Sequence, residues 1–309
     1  MHSQIREYIQ DGIQKVKINT NNGAELVGNF HEGSLKKGIL FFPGFTEPKE
    51  SFQDFTERLC MLGFNTWAFD INSQGESSGN WDLSQMVESV HEIQKVLRQK
   101  YNLEKVGAFG NSMGGMAVGI TAAKDTSSLD CLCLTTTGTE MYDYFPKNIA
   151  KIIKYLPQSL FRQLTILFDT VESSSNEIYR NKSHLTFKTK EGYQPYAQFG
   201  ALRIHNLKEF MGWIENSPKL MDYANKIIQP VLFIYGGKDR FLGIKDCRLP
   251  KRIETMYDSI RSNQKELIVA PGADHSLNTK TRTDECFNQD LKYKQIKNKI
   301  IEHFSYHLL

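Results

Sequence analysis

Gly110-Asn111-Ser112-Met113-Gly114 is the stretch on which the interpretation of this chain depends. Apolar residues from Leu103 to Phe109 predict a short buried strand before it, and small residues from Met113 to Lys124 predict a tightly packed helix after it. A serine between a strand and a helix, with glycine two positions before it and two positions after it, has the form of a nucleophile elbow. Side chains in place of the two glycines would collide with neighbouring backbone. The motif therefore predicts a strained Ser112 at the positive end of a helix dipole.

A reactive serine needs a general base, and the base needs an acid to orient it. In this kind of architecture the acid and then the histidine follow the serine along the chain, each in a loop after a strand. Val231–Tyr235 is an apolar run that predicts such a strand, and the turn after it carries Asp239. Glu266–Val269 predicts the next strand, and His275 lies in the loop that follows. The sequence therefore predicts Ser112, Asp239 and His275 as nucleophile, acid and base.

Other interpretations of these residues stay open at this point. Asp239 follows two glycines and can be the side chain of a simple turn, and His275 can be a histidine on a surface loop. Asp274 is a second candidate acid, although its position in the backbone directs it away from the imidazole. Glu140 is the stronger rival, because some enzymes of this architecture place the acid after the strand that Cys131–Thr137 predicts.

The negative charge that develops on a substrate carbonyl needs backbone N–H donors held in place. One donor is expected from the residue after the nucleophile, which is Met113. The other is expected from the loop after an early strand. Lys37–Phe42 predicts that strand, and Pro43-Gly44-Phe45-Thr46 follows it. The amides of Phe45 and Met113 are therefore the predicted oxyanion hole.

Four blocks of sequence, spread from about residue 30 to residue 303, resemble the α/β-hydrolase superfamily. They are Pro43-Gly44-Phe45-Thr46, Asp70–Gly79, the elbow at Ser112 and the two loops that hold Asp239 and His275. Within the superfamily the chain is similar to the serine-aminopeptidase-like group, which includes feruloyl esterases and monoacylglycerol-lipase-like enzymes. The resemblance implies the same nucleophile, acid, base and oxyanion donors as the spacing predicts.

Two blocks depart from the pattern of that group. The first usually begins with His-Gly and begins here with Pro43-Gly44, and the second usually carries Arg and Gly where this chain has Asn72 and Ser73. None of these residues supplies the predicted triad, and the missing N–H of a proline does no harm where Phe45 is the donor. Because these positions shape the loops around the site, the departures predict an unusual substrate pocket.

The rest of the chain predicts an α/β fold with a mostly parallel central sheet and helices on both faces. Val16–Asn19 and Glu25–Phe30 flank Asn21-Asn22-Gly23 and predict an opening hairpin. Strands and helices then alternate as far as residue 137 and again from residue 226. Ligands of such sheets bind at the carboxyl ends of the strands, where the predicted site residues fall. Residues 1–137 and 226–309 are therefore predicted to form an α/β-hydrolase core.

Residues 138–225 break this alternation and predict a helical cap inserted over the site. Ile149–Leu156 and Phe161–Phe168 have the pattern of amphipathic helices, and a further helix is predicted from Tyr196 to Ile214. The aromatic residues of this region either line an acyl or aromatic pocket or attach the cap to the core: Phe145, Tyr155, Phe161, Phe168, Tyr193, Phe199, Phe210 and Trp213.

Composition argues against several other classes of protein. The 309 residues are 40% hydrophobic and carry a net charge of +3 with the charges scattered, which predicts no nucleic-acid surface. The first residues lack the apolar core of a signal peptide, no apolar run is long enough to cross a bilayer, and membrane association is not expected. Five cysteines suggest no disulfide framework, and no Cys/His spacing suits zinc. We expect a cytoplasmic protein without a metal or another cofactor.

These observations predict a serine hydrolase that cleaves a carboxylic ester or thioester of a small acyl or aromatic acid through an acyl-enzyme. An acyltransferase or a thioesterase that uses the same acyl-enzyme is an alternative, and the acyltransferase would pass its acyl group to an acceptor other than water. A peptidase is a further enzymatic alternative, and a non-catalytic binding protein of the same fold is the remaining one. The acyl group, the leaving group and the oligomeric state do not follow from the sequence.

Overall fold

The computed structural model describes residues 4–10, 12–45, 47–144, 188–189, 192–193, 207–275, 277 and 288–309. Most of these residues belong to one nine-stranded sheet and to helices packed on its two faces. The strands in chain order are β1 (Gln4–Gln10), β2 (Ile13–Asn19), β3 (Glu25–His31), β4 (Lys37–Phe42), β5 (Asn65–Phe69), β6 (Lys105–Asn111), β7 (Cys131–Thr135), β8 (Lys188–Thr189), β9 (Gly192–Tyr193), β10 (Val231–Gly236) and β11 (Lys265–Ala270). The helices are α1 (Gln53–Met61), α2 (Leu83–Lys100), α3 (Ser112–Lys124), α4 (Leu207–Asn216), α5 (Leu220–Tyr223), α6 (Lys251–Ser259) and α7 (Asn288–Leu308). The alternation of strands and helices confirms the predicted α/β class.

The large sheet has the strand order β1-β2-β3-β5-β4-β6-β7-β10-β11. The six strands from β5 to β11 in this order run parallel, whereas β1, β2 and β3 pair antiparallel with one another and with β5. Parallel strands end at the same edge of a sheet. The loops after β4, β6, β10 and β11 therefore meet at one edge, where the predicted site residues lie.

The edge strand β1 is absent from the sequence-based prediction, which begins with the hairpin of β2 and β3. Its side chains from Ile5 to Gln10 are only partly buried or exposed, and Ile9 is 77% exposed. A strand that buries so little has no hydrophobic alternation by which to recognise it. Only its antiparallel pairing with β2 reveals it.

The strand β4 shows how the core is divided between the two faces of the sheet. Ile39 and Phe41 contact the cluster built with α1 and α7, whereas Leu40 and Phe42 contact the cluster built with α2 and α3. Successive side chains of a strand point to opposite faces. A central strand covered on both faces must therefore be apolar throughout, and that is the pattern from which β4 is predicted.

The helix α3 is buried along nearly its whole length, from Ser112 to Ala123. A helix surrounded by protein has no polar face. Its small residues let neighbours approach closely: a Cβ added at Gly119 would lie 2.8 Å from Leu220 of α5. This packing explains the run of glycine and alanine after Ser112.

Most of the predicted cap, residues 138–225, lies outside the described residues. This applies to the predicted helices Ile149–Leu156 and Phe161–Phe168 and to the first part of the predicted helix Tyr196–Ile214, whose last part corresponds to α4. The strands β8 and β9 pair antiparallel and are not predicted by the sequence analysis. The division into core and cap stays a prediction. Among the helices that the structure describes, none is both long and apolar enough to cross a bilayer.

Candidate active site

Ser112 lies at the junction of β6 and α3 in a strained backbone conformation. Its φ is 50°, in the left-handed region that costs residues other than glycine about 1–2 kcal/mol. A Cβ added at Gly110 would lie 2.5 Å from the Cα of Gly115, and one added at Gly114 would lie 2.4 Å from the carbonyl oxygens of Phe42 and Pro43. Real Cβ atoms do not approach so closely, so both positions accept only glycine. The two glycines thus allow the tight turn that holds Ser112.

His275 connects Ser112 to Asp239. The His275 Nε2 atom lies 3.0 Å from the Ser112 hydroxyl oxygen, and the Nδ1 atom lies 2.7 Å from a carboxylate oxygen of Asp239. With the imidazole proton on Nδ1, Nδ1–H donates to the carboxylate and Nε2 accepts from the serine hydroxyl. The first residue of α3 and two residues from separate loops therefore form one continuous chain of hydrogen bonds.

Asp239, and not Glu140, is the carboxylate that contacts the imidazole. Asp239 is fully buried, and its second carboxylate oxygen accepts a hydrogen bond of 3.1 Å from the amide of Leu242. Glu140 instead pairs with Lys219 at 3.0 Å. The carboxylate of Asp239 is thus held at both oxygens, one by the backbone and one by His275.

The loops after β10 and β11 are bonded to each other, and this fixes the spacing of Asp239 and His275. The amide of Gly237 donates to the carbonyl of Ala270 at 2.8 Å, and the amide of Lys238 donates to the carbonyl of Ala273 at 2.8 Å. Backbone hydrogen bonds of this kind hold the two loops as one unit.

The turn after β4 lies directly against the elbow. A Cβ added at Gly44 would lie 3.1 Å from the Ser112 Cβ, and the Gly44 carbonyl accepts a hydrogen bond of 3.1 Å from the Gln74 side chain. Phe45 follows Gly44, and its ring packs edge-on against Trp81 with the centroids 5.1 Å apart. Met113 lies in the first turn of α3, where amides have no partner within the helix. The two predicted oxyanion donors therefore lie on the two segments that meet at Ser112.

The block Asp70–Gly79, which departs from the family pattern, is held by a buried cluster of charges. The ammonium group of Lys49 lies 2.6 Å from the carboxylates of Asp70 and Glu76 and 3.0 Å from that of Glu50. Burial lowers the pKa of Lys49, but the charges of these carboxylates outweigh burial and raise that pKa above its ordinary value. A lysine from the segment after β4 thus attaches this block to the turn that carries Phe45.

Two aromatic rings that the sequence analysis did not select lie beside the imidazole. The centroid of the Tyr144 ring lies 5.8 Å from that of His275, and the centroid of the Phe241 ring lies 5.1 Å from it. Phe241 is 66% exposed, although it follows the buried Asp239 by only two residues. Its place two residues after the predicted acid is the one signal by which the sequence points to Phe241. Tyr144 carries no comparable signal, because its loop reaches the site only in the folded chain.

Glu47 is a second carboxyl group near Ser112 that the sequence analysis missed. One of its oxygens accepts hydrogen bonds from the amide of Gly44 at 2.8 Å and from the side chain of Asn111 at 2.7 Å. Burial raises the pKa of Glu47, while these two hydrogen bonds and the nearby charge of His275 act in the opposite direction. Glu47 therefore links the turn after β4 to the residue that precedes Ser112.

Replacing Glu47 by alanine is expected to lower the free energy of unfolding at neutral pH by about 1–3 kcal/mol, because two donors lose their acceptor. Glu47→Gln keeps an oxygen for both donors and removes the charge. A carboxyl whose pKa is raised on folding stabilises the protein while it is protonated, and this stability is lost as the pH rises through the raised pKa. Glu47→Gln should therefore gain stability relative to the unchanged protein as the pH rises above about 4, the ordinary range of a glutamate pKa. Denaturant titrations at several pH values measure both effects. Equal losses for the two variants would show that the charge itself is required.

The sheet order, the position of Ser112 between β6 and α3 and the loops that meet at the carboxyl edge together define an α/β-hydrolase fold. The family model described as serine aminopeptidase, S33, matches residues 33–281. The chain therefore belongs to this family of α/β hydrolases. No curated protein matches the chain in a sequence search.

Solved structures of several esterases and lipases share this fold. An esterase from Exiguobacterium antarcticum superposes with a TM-score of 0.63 at 17% identity, over 94% of this chain and 98% of that one. A monoacylglycerol lipase from Paleococcus ferrophilus superposes with a TM-score of 0.60 at 16% identity, over 91% of this chain and 99% of that one. An esterase from Pyrococcus furiosus superposes with a TM-score of 0.61 at 14% identity, over 99% of this chain and 92% of that one. At 14–17% sequence identity, the similarity to these structures shows a shared fold.

Proposed function

We propose that this protein is a serine hydrolase that cleaves carboxylic esters or thioesters through an acyl-enzyme on Ser112. The observation that carries the proposal is the chain of hydrogen bonds from Ser112 through His275 to the buried Asp239, at 3.0 Å and 2.7 Å. A serine hydroxyl is a weak nucleophile until a base accepts its proton, and the base needs a carboxylate to hold its tautomer. Membership of the S33 family and the fold shared with esterases and lipases support the same chemistry.

Acylation begins when the Ser112 oxygen attacks the carbonyl carbon of the substrate and its proton passes to Nε2 of His275. The imidazolium that forms lies beside the carboxylate of Asp239, which stabilises its charge. The carbonyl oxygen becomes an oxyanion and accepts hydrogen bonds from the amides of Phe45 and Met113. Each such donor lowers a barrier by about 3 kcal/mol in enzymes of known mechanism. The bond to the leaving group then breaks, and His275 returns the proton to the departing alcohol or thiol.

Deacylation repeats these steps with water as the nucleophile. His275 accepts a proton from the water that attacks the acyl-enzyme, and a second tetrahedral intermediate forms. The bond between the acyl carbon and the Ser112 oxygen then breaks, and His275 delivers the proton to that oxygen. The acid leaves, and the enzyme returns to its starting state.

The acyl group is expected to be small or aromatic. The exposed ring of Phe241 lies beside the imidazole of His275, and the ring of Tyr144 also lies beside that imidazole. Aromatic faces at the reaction centre favour apolar substrate groups over charged ones.

A panel of substrates tests the proposal: p-nitrophenyl esters of increasing chain length, hydroxycinnamate esters, acyl thioesters and amino-acid amides. We expect steady hydrolysis of at least one ester or thioester, and mass spectrometry should place a fluorophosphonate adduct on Ser112. Turnover of amides alone would replace the proposal by a peptidase, and transfer of the acyl group to an added alcohol or thiol in preference to water would replace it by an acyltransferase. Absence of both turnover and adduct would refute catalysis by this triad.

A further inference from the structure

The amide of Phe45, one of the two proposed oxyanion donors, shares a peptide unit with the carbonyl of Gly44. The peptide bond between the two residues is trans. A trans peptide unit is planar, and its C=O and N–H groups point in opposite directions. A group that binds the Gly44 carbonyl therefore also determines the direction of the Phe45 N–H.

The side chain of Gln74 is bonded to that carbonyl. Its amide nitrogen donates to the Gly44 oxygen at 3.1 Å, within the normal range for such a bond. The backbone amide of Glu47 also donates to this oxygen, at the longer distance of 3.3 Å. Gln74 is only 2% exposed, and a hydrogen bond shielded from water is stronger than one at the surface. The Gln74 side chain is thus the better-placed donor to the peptide unit that carries the Phe45 N–H.

This peptide unit needs such a bond because it follows a glycine. Glycine has no Cβ, so the units beside it rotate more freely than those beside any other residue. The amide of Gly44 donates to the Glu47 carboxylate at 2.8 Å, which holds the peptide unit before Gly44. That bond does not set the direction of the unit after Gly44. The hydrogen bond from Gln74 does.

The loop that carries Gln74 is held at several points. The Gln74 amide donates to the carbonyl of Ile71 at 3.0 Å, and the Gln74 carbonyl accepts from the amide of Ser77 at 2.9 Å. Glu76 in the same loop lies 2.6 Å from the buried ammonium group of Lys49. Oxyanion donors must be positioned before the reaction starts. A side chain on a loop held in this way meets that requirement.

We propose that Gln74 is a positioning residue of the oxyanion hole, whose side chain binds the Gly44 carbonyl and thereby directs the Phe45 N–H toward the substrate oxygen. This inference rests on the proposed function. Gln74 acts through the Phe45 amide and takes no part in making or breaking bonds. The substrate oxygen carries most negative charge near the tetrahedral intermediates. A misdirected donor therefore costs more in the transition state than in the bound substrate.

Gln74→Met keeps a side chain of similar length and removes the donor. We expect kcat for the best ester to fall roughly 10- to 100-fold with KM within about threefold, because the Phe45 donor is misdirected but still present. The inhibition constant of an alkyl trifluoromethyl ketone, which forms an oxyanion on Ser112, should rise by the same factor as kcat/KM falls. A folding defect would lower the concentration of active sites and leave that constant unchanged.

Gln229→Met is the matched control. Gln229 is 5% exposed, and its side-chain nitrogen also donates to backbone carbonyls, those of Ala122 at 3.2 Å and Thr126 at 3.0 Å. These carbonyls lie at the end of α3 opposite to Ser112. The control should therefore lose stability while kcat and the inhibition constant stay within about twofold of the unchanged protein.

Gln74→Glu tests the same hydrogen bond by pH. A protonated carboxyl at position 74 donates to the Gly44 carbonyl, whereas an ionised one has no hydrogen to donate. Burial raises the pKa of a carboxyl group. The kcat/KM of this variant, divided by that of the unchanged protein, should therefore rise as the pH falls through the pKa of the new carboxyl. The ionisation of His275 affects both proteins and cancels in this ratio. This variant also decides the question if Gln74→Met fails to fold.

Three outcomes would overturn the inference: kcat of a folded Gln74→Met variant within about twofold of the unchanged protein, a loss of kcat/KM without a rise in the inhibition constant, or a ratio for Gln74→Glu that does not change with pH. In each case the unchanged protein would still form an acyl-enzyme on Ser112. Failure of the proposed function looks different, because then the unchanged protein forms no adduct with the fluorophosphonate and no acyl-enzyme.

Discussion

Ser112→Ala is expected to reduce kcat for the best ester of the panel by roughly 10⁴- to 10⁶-fold. Removing a nucleophilic serine leaves only the catalysis that the oxyanion donors and substrate binding supply without it. Without the hydroxyl, His275 has no proton to accept at Nε2 and no acyl-enzyme can form. Substrate binding should change little, because the variant loses one small buried atom. Fluorophosphonate labelling should disappear together with turnover.

Ser127→Ala is a suitable control for the first prediction. The Ser127 hydroxyl bonds at 2.6 Å to Asp125 two residues away, in an exposed turn after α3. Its loss should leave both the turnover and the labelling unchanged. Thermal unfolding of both variants shows whether they remain folded. Labelling of Ser112→Ala at the rate of the unchanged protein would place the nucleophile elsewhere.

Asp239→Asn is expected to reduce kcat by about 10⁴-fold, and the hydrogen bonds of Asp239 give the reason. One carboxylate oxygen accepts from the amide of Leu242, and the other accepts from Nδ1 of His275. In the variant the single carbonyl oxygen is drawn to the Leu242 amide, so the NH₂ group faces the imidazole. Nδ1 must then accept, which puts the ring proton on Nε2. In that tautomer His275 cannot take a proton from Ser112.

Glu140→Gln provides the matched control, because Glu140 is the rival acid in the sequence. The structure pairs it with Lys219. We expect the kcat of this variant within twofold of the unchanged protein, while the surface ion pair is worth at most about 1 kcal/mol of stability. Steady-state kinetics on both variants decide between the two acids. A large loss for Glu140→Gln with little loss for Asp239→Asn would reverse the assignment.

Much of the fold could be predicted because its signals are local. Central strands such as β10, and β4 after its first residue Lys37, are apolar, since both faces of the sheet are covered. The opening hairpin carries its own turn residues. The edge strand β1 has neither kind of signal, because its side chains are largely at the surface.

Some of the residues around Ser112 could likewise be predicted from the sequence, and others could not. The proximity of Ser112, Asp239 and His275 follows from the order of parallel strands, each of which ends at the same edge of the sheet. Glu47 and Tyr144 lie in loops without a repeating pattern. Their contacts with Gly44, Asn111 and Gly138 depend on how those loops pack, and no spacing along the chain encodes that packing.

From the amino-acid order alone one can deduce the strand, the tight turn and the helix around Ser112, because the exclusion of side chains at Gly110 and Gly114 is a matter of local sterics. The choice of carboxylate is different in kind. Asp239 and Glu140 both follow strands of the same sheet, and the sequence does not decide which of the two loops reaches His275. Three-dimensional packing made the choice, because the loop after β10 is bonded to the loop of His275 through Lys238 and Ala273, whereas Glu140 is held by Lys219.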